Sequence, residues 1–294
     1  MENEKNKSDN SQNNSQGNLP SIAVIGAGAL GSFYGALLQK AGHTVEYQSK
    51  SAFETLSHSP LNIKSIWGDF DIKANFFENS EKMTKADIVL VTCKALPEVD
   101  YKNLLQPVVD KNTIIVVLQN GINNDENIQD LFRENEIYAA TAFTCINRLA
   151  PDRVHHLDYG NIVLASTKQS SPDKAIELSH YFTNAGIPTK TADDHRKMRW
   201  QKLLWNIPFN SLSVLLHGAT TSEMISNENC LNIVRDLLSE TRGIAESENI
   251  SFSIEDSEKL IERTKRMKPY KTSMLLDHES KKPMEVETIL GEPL

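Results

Sequence analysis

The chain contains 294 residues, of which 39% are hydrophobic and 24% are charged, and its formal net charge is −8. This composition is typical of a globular protein, and the acidic balance without a basic stripe argues against a nucleic-acid-binding protein. No apolar run approaches the roughly 18 residues that a membrane span needs, and residues 2–18 lack the apolar segment of a signal peptide. Cys93, Cys145 and Cys230 are far apart, which indicates neither a disulfide framework nor a zinc site and favours a reducing cytoplasm.

A glycine-rich turn near the start of the chain joins a predicted strand, Ile22 to Ile25, to a predicted helix that runs to Lys40. In this context its sequence, G-x-G-x-x-G, is typical of dinucleotide binding. The first glycine permits a sharp turn, the second lets the backbone approach a pyrophosphate, and the third lets helix and strand pack closely. The positive end of the helix dipole favours the phosphates. A glycine-rich turn of some other α/β protein is the alternative. The expected cofactor contacts are Gly26, Ala27, Gly28, Ala29, Leu30 and Gly31.

The end of the second predicted strand, Thr44 to Gln48, indicates which dinucleotide binds. In this fold that strand end meets the adenosine ribose, where a carboxylate would select NAD. Residues 48–51 read Q-S-K-S, which gives two hydroxyls and a cation but no carboxylate. This chemistry suits a 2′-phosphate, so we predict NADPH as the cofactor and Lys50 as a cofactor-binding residue. A solvated surface lysine is the alternative.

Two buried strands are each followed by a polar residue at their carboxyl end. Asp87 to Cys93 is a nearly continuous apolar run followed by Lys94, and Thr113 to Leu118 leads to Asn120. Such runs are typical of a parallel sheet covered on both faces, and ligands bind beyond the carboxyl ends of its strands. We therefore expect Lys94 and Asn120 near the far half of the cofactor, with loop residues that satisfy local backbone as the alternative. Pro97 to Val109 is the predicted crossover helix between these strands.

Other segments complete the predicted sheet. Ile63 to Phe77 alternates apolar and polar residues around Gly68-Asp69, which predicts two antiparallel strands beside the parallel ones. Adjacent His155 and His156 point to opposite faces of a strand, so no metal site is expected. Further strands are predicted at Ile137–Leu149, Val154–His156 and Asn161–Ala165. Pro172–Ala185 is predicted to be the final helix of this domain.

The alternation of strands and helices stops near residue 190, and the rest of the chain is predicted to be helical. The predicted helices are Asp193–Leu216, Glu228–Ser247, Ile254–Thr264 and one that begins near Glu285. We therefore expect an α/β fold with a doubly wound, Rossmann-type NADPH-binding domain at residues 20–190 and a smaller all-helical domain at 191–294. Residues 1–19, rich in Asn, Ser, Gln and Glu, are expected to form a disordered tail because they bury too little apolar surface to offset chain entropy.

Lys202, Asn206 and Asn210 follow one another at intervals of four in a predicted helix that is otherwise apolar. They form one polar stripe, because each step of four residues advances by only about 40° around a helix. A lysine with two amides is unusual for a solvent face and suits a cleft that holds a small polar ligand. A snorkelling lysine beside two surface asparagines is the alternative, and Pro208 indicates a kink or restart of the helix.

Five blocks of sequence together resemble the ketopantoate reductase (2-dehydropantoate 2-reductase) family. They are G-A-G-A-L-G at 26–31, T-C-K-A at 92–95, L-Q-N-G at 118–121, W-Q-K-L-x-x-N-x-x-x-N at 200–210, and T-S-M-L-x-D followed by E-V-E at 272–287. The blocks occur in the family's order, and the resemblance extends from about residue 20 to the end of the chain. It implies NADPH-dependent reduction of 2-dehydropantoate to pantoate on the pantothenate pathway, at a site between the two domains.

The resemblance also implies a role for individual residues. Lys202 matches the family's general acid. Glu285 matches the site glutamate, so the resemblance implies that Glu285 is both a catalytic and a cofactor-binding residue. Lys94 and Asn120 match residues near the nicotinamide half of the cofactor, and Lys50 stands where the family has a cation for the 2′-phosphate. The implied substrate contacts are Asn120, Lys202, Asn206, Asn210 and Ser273. Taken alone, Ser273 is only an N-cap candidate and Glu285 only a first-turn helix residue.

Two features depart from the family pattern. Thr220 stands where some members carry a further Asn, which leaves the substrate contacts on that side undefined. The family usually continues past its last block with another helix, whereas this sequence ends at Leu294, so we expect part of the helical core to lie uncovered. Reduction of another 2-oxo acid and non-catalytic NADPH binding stay open as alternative functions, and a homodimer stays open as an assembly.

Overall fold

The computed structural model describes residues 19–294, in which a mixed sheet with flanking helices is followed by a helical part. The tail expected at residues 1–19 lies outside the described residues except for Leu19. The strands are β1 (Ile22–Ile25), β2 (Val45–Gln48), β3 (Leu61–Ser65), β4 (Phe70–Ile72), β5 (Asn75–Phe77), β6 (Ile88–Val91), β7 (Ile114–Val117), β8 (Ile137–Ala150), β9 (Arg153–Ser166) and β10 (Thr189–Ala192). The helices are α1 (Ala29–Lys40), α2 (Phe53–Leu56), α3 (Tyr101–Leu105), α4 (Asn124–Leu131), α5 (Pro172–Asn184), α6 (His195–Leu215), α7 (Thr221–Ser226), α8 (Glu228–Ser247), α9 (Ile254–Lys265) and α10 (Ser273–Glu279).

The sheet has the predicted parallel core. Its main strand order is β4-β3-β9-β8-β7-β6-β1-β2-β5, and β10 pairs with β9. Strand β1 pairs in parallel with β2 and β6, β6 with β7, and β7 with β8. The carboxyl ends of β1, β6 and β7 therefore meet at one edge, which is where the glycine-rich turn, Lys94 and Asn120 leave the sheet.

Helices cover both faces of this core, which explains the unbroken apolar runs in its strands. In β1, Ile22 and Val24 belong to one buried cluster, whereas Ala23 and Ile25 belong to another on the opposite face. Alternate residues of a strand point to opposite faces, so a strand covered on both sides needs apolar residues throughout. The predicted α/β architecture followed by an all-helical part is confirmed.

The segment from Ile63 to Phe77 differs in part from its prediction. Strands β3 and β4 form the expected antiparallel pair around Gly68-Asp69. Residues Asn75–Phe77, which were assigned to the second of these strands, instead form β5 and pair in parallel with β2 at the far edge of the sheet. Local alternation predicts strands, but it does not show that consecutive strands pair with partners at opposite edges.

The predicted crossover helix at Pro97–Val109 is much shorter in the structure, where α3 covers only Tyr101–Leu105. Asp100 begins the helix by accepting a hydrogen bond from the Asn103 N–H at 3.1 Å. Pro107 lies two residues past the last helical residue. A proline disfavours helical conformation in the residue before it, so the helix stops early.

Strands β8 and β9 form a long antiparallel hairpin, in which two strands predicted separately, Val154–His156 and Asn161–Ala165, are one. The pairing is interrupted by register shifts between Phe143 and Thr144, Cys145 and Ile146, and Arg148 and Ala150. Bulges of this kind bend a strand and redirect its side chains. Strand β7 pairs only with residues 137–139 of β8, whereas the outer part of the hairpin pairs with β3 and contacts the glycine-rich turn through Arg148 and Ala27.

The helical part is built around α6, which spans 21 residues. Pro208 lies inside this helix without ending it, so of the two predicted alternatives, a kink or a restart, the restart does not occur. The short elements β10, α7 and α10 were not predicted, since four to seven residues carry too little periodicity to identify them. The helix predicted near Glu285 is a single π-helical turn, Glu287–Gly291. None of the helices in residues 19–294 is long and apolar enough to cross a membrane.

Candidate active site

A cleft of about 600 Å³ lies between the carboxyl edge of the sheet and the helices α6 and α10. Both parts of the chain contribute to its walls. The predicted site residues that line it are Gly28, Ala29, Leu30, Lys94, Asn120, Lys202, Asn206, Ser273 and Glu285. The structure therefore brings together residues that are up to about 250 positions apart in sequence.

The glycines of the turn have different neighbours. Gly26 has φ of +80°, and a Cβ there would lie 2.3 Å from the Cα of Cys93. A Cβ on Gly31 would lie 2.2 Å from the Thr92 hydroxyl oxygen. A Cβ on Gly28, by contrast, would have no neighbour closer than 3.8 Å, so protein packing does not require this glycine. Gly28 lines the cleft and leaves room there for a ligand.

Helix α1 begins beside this open space with its amino end unneutralised. Its N-cap is Gly28, no side chain caps it, and no acidic residue lies in its first turn. The first N–H groups of a helix have no intrahelical partner and carry partial positive charge. This end of α1 therefore fits the phosphates of a dinucleotide.

The predicted 2′-phosphate partner, Lys50, is exposed just after β2 and is not part of the cleft wall, whereas its neighbour Ser51 is. The Gln48 side chain serves the protein itself, because it accepts a hydrogen bond from the Gly26 N–H at 3.2 Å and donates one to the Glu78 carbonyl at 3.0 Å. The end of β2 thus presents a cation and hydroxyls but no carboxylate from residues 48–51.

Lys94 lies in the cleft wall, but its charge is already paired. Its Nζ is 2.7 Å from an Asp277 carboxylate oxygen and donates a hydrogen bond to the Pro283 carbonyl at 2.8 Å. The lysine therefore links the loop after β6 to α10 and the segment beyond it. The sequence predicted its position but not this pairing.

Asn120 and Glu285 contact each other, although 165 positions separate them. Asn120 Nδ2 donates to Glu285 Oε2 at 3.2 Å, and the Ala95 N–H donates to Glu285 Oε1 at 3.0 Å. Glu285 is 9% exposed, and burial raises the pKa of its carboxyl group above the ordinary value although these two donors lower it. The segment that carries Glu285 docks on the sheet through the Ile122 N–H, which donates to the Thr288 carbonyl at 3.1 Å.

The ammonium group of Lys202 lies among aromatic rings. Its Nζ is 4.9 Å from the centroid of the Phe143 ring and 5.5 Å from that of Trp205. Within residues 19–294 no carboxylate forms an ion pair with it. Burial lowers the pKa of Lys202 to about 8, with a second contribution from the positive charge of Arg263 and a small opposing one from Cys145.

The two asparagines of the stripe are deeply buried, with exposures of 2% for Asn206 and 1% for Asn210. Asn206 Nδ2 and Asn210 Oδ1 find no hydrogen-bond partner in the described part of the chain. A buried polar atom without a partner costs about 1–3 kcal/mol, so a ligand or an ordered water would have to complete these bonds. Asn206 lines the cleft, whereas Asn210 lies one turn further along α6 and is not part of its wall.

Ser273 also lines the cleft, as the first residue of α10. Its predicted N-cap role is wrong, because Thr272 caps this helix by accepting a hydrogen bond from the Leu275 N–H at 3.2 Å. The buried Thr272 hydroxyl also lies 2.7 Å from the Ser213 hydroxyl on α6. The cap is thus a structural contact, and the exposed Ser273 is not needed for it.

Comparisons with known proteins identify the family of the chain. The family models "Ketopantoate reductase PanE/ApbA" and "Ketopantoate reductase PanE/ApbA C terminal" match residues 22–169 and 194–294. The chain belongs to the ketopantoate reductase family. Members of this family are NADP-dependent oxidoreductases that act on a keto group.

Individual relatives match most of the chain. A 2-dehydropantoate 2-reductase of Nostoc sp. is 37% identical over 280 residues, which is 92% of this chain and 87% of that protein. The crystal structure of the 2-dehydropantoate 2-reductase from Geobacter metallireducens has a TM-score of 0.88 at 34% identity, covering 93% of this chain and 91% of the other. The corresponding structure from Methylococcus capsulatus has a TM-score of 0.82 at 36% identity, with coverages of 93% and 88%.

Two arginines with structural importance were missed by the sequence analysis. Arg199, on α6, is 2% exposed and pairs with the fully buried Asp125 at 3.1 Å. Its guanidinium also donates to the Val117 carbonyl at 2.9 Å and to the Gln119 carbonyl at 2.6 Å, which fixes the helix of Lys202 against the end of β7. Arg148, on β8, lines the cleft. Arg199 and, through Ala27, Arg148 contact residues that are distant in sequence, so local patterns did not reveal these roles.

Proposed function

We propose that the chain reduces 2-dehydropantoate to pantoate with NADPH, using Lys202 as the general acid. The observation that carries this proposal is the environment of the Lys202 ammonium group, which lies in the cleft against two aromatic rings and has no carboxylate partner in residues 19–294. With a pKa near 8, the lysine is mostly protonated at neutral pH, yet it releases its proton more readily than an ordinary lysine. The names of the relatives support the choice of substrate.

The proposed chemistry divides between the cofactor and the lysine. When bound, NADPH supplies the hydride that reduces a ketone. Lys202 serves the carbonyl oxygen, because its ammonium group stabilises the negative charge that develops there and then neutralises it by donating a proton. The apolar rings beside the ammonium group lower the local dielectric and would strengthen this electrostatic interaction.

The cofactor would be held by residues of the proposed Rossmann domain, 20–190. The uncapped amino end of α1 and the open space above Gly28 fit its phosphates, and Lys50 would bind the 2′-phosphate. Asn120 and Lys94 would border its nicotinamide half. Glu285 would act there by orienting the Asn120 amide, to which it is hydrogen-bonded.

The substrate would be oriented by the proposed helical domain, 191–294. The free Nδ2 of Asn206 suits an oxygen of a 2-oxo acid, and the Ser273 hydroxyl lies in the same cleft. Asn210 would help to orient the substrate if its Oδ1 accepted a hydrogen bond from the substrate itself or from a bridging water. Fixing a substrate in this way lowers the barrier by removing rotational freedom before the reaction begins.

The proposal is tested by following NADPH oxidation with 2-dehydropantoate, pyruvate, 2-oxoisovalerate and phenylglyoxylate as substrates. We expect the highest kcat/KM with 2-dehydropantoate. A higher kcat/KM with another 2-oxo acid would identify that acid as the substrate instead of 2-dehydropantoate. NADPH binding without turnover of any of these acids would favour a non-catalytic protein. Restored growth of a pantothenate-requiring reductase mutant would place the reaction in pantothenate and coenzyme A biosynthesis. Sedimentation analysis tests the homodimer, which stays a prediction.

A further inference from the structure

We propose that Arg148 is a ligand of the cofactor's diphosphate group. The inference rests on the proposed function, because its ligand is the dinucleotide. It adds to the binding site a residue from the β8–β9 hairpin, which lies more than 100 positions after the glycine-rich turn.

Arg148 lies directly beside that turn. Its Nη1 donates a hydrogen bond to the Ala27 carbonyl, and its Nε donates one to the Pro151 carbonyl at 3.2 Å. It lines the cleft together with Gly28, Ala29 and Leu30, the residues at the amino end of α1. A register shift lies between Arg148 and Ala150, in the part of β8 that contacts the turn.

The guanidinium retains both charge and hydrogen-bonding capacity. An arginine has five N–H donors, and the three hydrogen bonds observed for Arg148 all end on backbone carbonyls. Within residues 19–294 no carboxylate forms an ion pair with it, although the side chain is partly buried. Burial lowers the pKa of the Arg148 guanidinium to about 10, and the negative charge of Asp152 opposes this shift only in part. A cation in such a place favours a bound anion.

Its position favours the diphosphate over the 2′-phosphate. A diphosphate lies at the amino end of the first helix in this type of fold, whereas the 2′-phosphate lies at the end of the second strand, where Lys50 stands. Lys94, another cation of the cleft wall, is already paired with Asp277. Arg148 contacts the turn itself, through Ala27, and its planar fork of donors matches phosphate oxygens.

The test compares the dissociation constants of NADPH and NADH, measured by fluorescence titration, for the wild-type protein and Arg148→Met. Both cofactors carry the diphosphate, so we expect both constants to rise by the same factor, roughly 10- to 100-fold. Lys50→Met should raise the constant for NADPH alone. Arg153→Met is the matched control, because Arg153 lies on the same hairpin with a largely exposed side chain, and its affinities should equal those of the wild type.

A second measurement separates phosphate binding from a purely structural contact with Ala27. A cation that binds phosphate makes affinity depend on ionic strength, so the slope of log Kd against log salt should be smaller in Arg148→Met than in the wild type. Arg148→Lys, which keeps the charge, should retain the wild-type slope with an intermediate affinity. This variant also serves if Arg148→Met does not fold.

Unchanged affinities, an effect on NADPH alone, or equal salt slopes in the wild type and Arg148→Met would each overturn the assignment. Failure of the wild-type protein to bind either cofactor would instead contradict the proposed function. The two failures are therefore distinguishable in one titration series.

Discussion

The lowered pKa of Lys202 predicts how the reaction depends on pH. A general acid must be protonated, so kcat/KM for the 2-oxo acid should be constant at neutral pH and fall as the pH rises through about 8. At pH 9 about one-tenth of the lysine remains protonated, so kcat/KM should be about tenfold below its plateau. An ordinary lysine, with a pKa of 10.5, would show no such loss at that pH.

Arg263 provides the perturbation that tests the cause of this shift. Its guanidinium lies 3.3 Å from the centroid of the same Phe143 ring that Lys202 contacts, and its charge is the second cause of the lowered pKa, after burial. Arg263→Met should therefore move the alkaline limb to higher pH without reaching 10.5, because burial persists. Arg266→Met, an exposed arginine near the end of the same helix, is the matched control and should leave the limb in place.

The assay is the initial rate of NADPH oxidation at low 2-oxo acid concentration between pH 6.5 and 10, with saturating cofactor. It reports kcat/KM and hence the ionisation of the enzyme before the 2-oxo acid binds. A profile that stays flat well beyond pH 9 would refute a lysine acid with a lowered pKa. An alkaline limb that does not move in Arg263→Met would refute the electrostatic contribution of Arg263.

Two further predictions concern the cofactor site. Lys50→Glu should weaken NADPH binding by roughly tenfold or more and leave NADH binding nearly unchanged, because it places a negative charge beside the negatively charged 2′-phosphate. Equal effects on the binding of both cofactors in a titration would contradict this prediction. Gly31→Ala should lower the free energy of unfolding by about 1–3 kcal/mol, since its Cβ would lie 2.2 Å from the Thr92 hydroxyl oxygen. Gly28→Ala has no such close neighbour, so it should preserve stability and weaken NADPH binding. Thermal unfolding and titration of both variants check this contrast, which a stable Gly31→Ala or an unimpaired Gly28→Ala would refute.

The parallel core of the sheet was predictable because its strands are buried on both faces. The runs in β1, β6 and β7 are apolar throughout, and they are followed within three residues by Gly26, Lys94 and Asn120, respectively. The pairing of strands at the edge of the sheet could not be predicted from such apolar runs. Strand β5 has only three residues, and its pairing with β2 depends on the tertiary arrangement and not on local alternation.

The candidate site shows the same limit. The stripe of Lys202, Asn206 and Asn210 was visible because helical spacing places these residues on one face. The contact between Asn120 and Glu285 joins residues 165 positions apart, and only the resemblance to a family implied that they share a site. Nothing in the local sequence could show that Lys94 is paired with Asp277, since pairing depends on how α10 docks against the sheet.

The most direct test of the central claim is the replacement Lys202→Ala. We expect kcat for 2-dehydropantoate to fall by at least about 100-fold, the usual range for loss of a positioned general acid, while the dissociation constant of NADPH barely changes. The cofactor's phosphates would be held by the glycine-rich turn, away from α6. Near-normal turnover by this variant would contradict the assignment of Lys202, and a parallel loss of NADPH binding would show that the substitution disrupts the fold and not the acid alone.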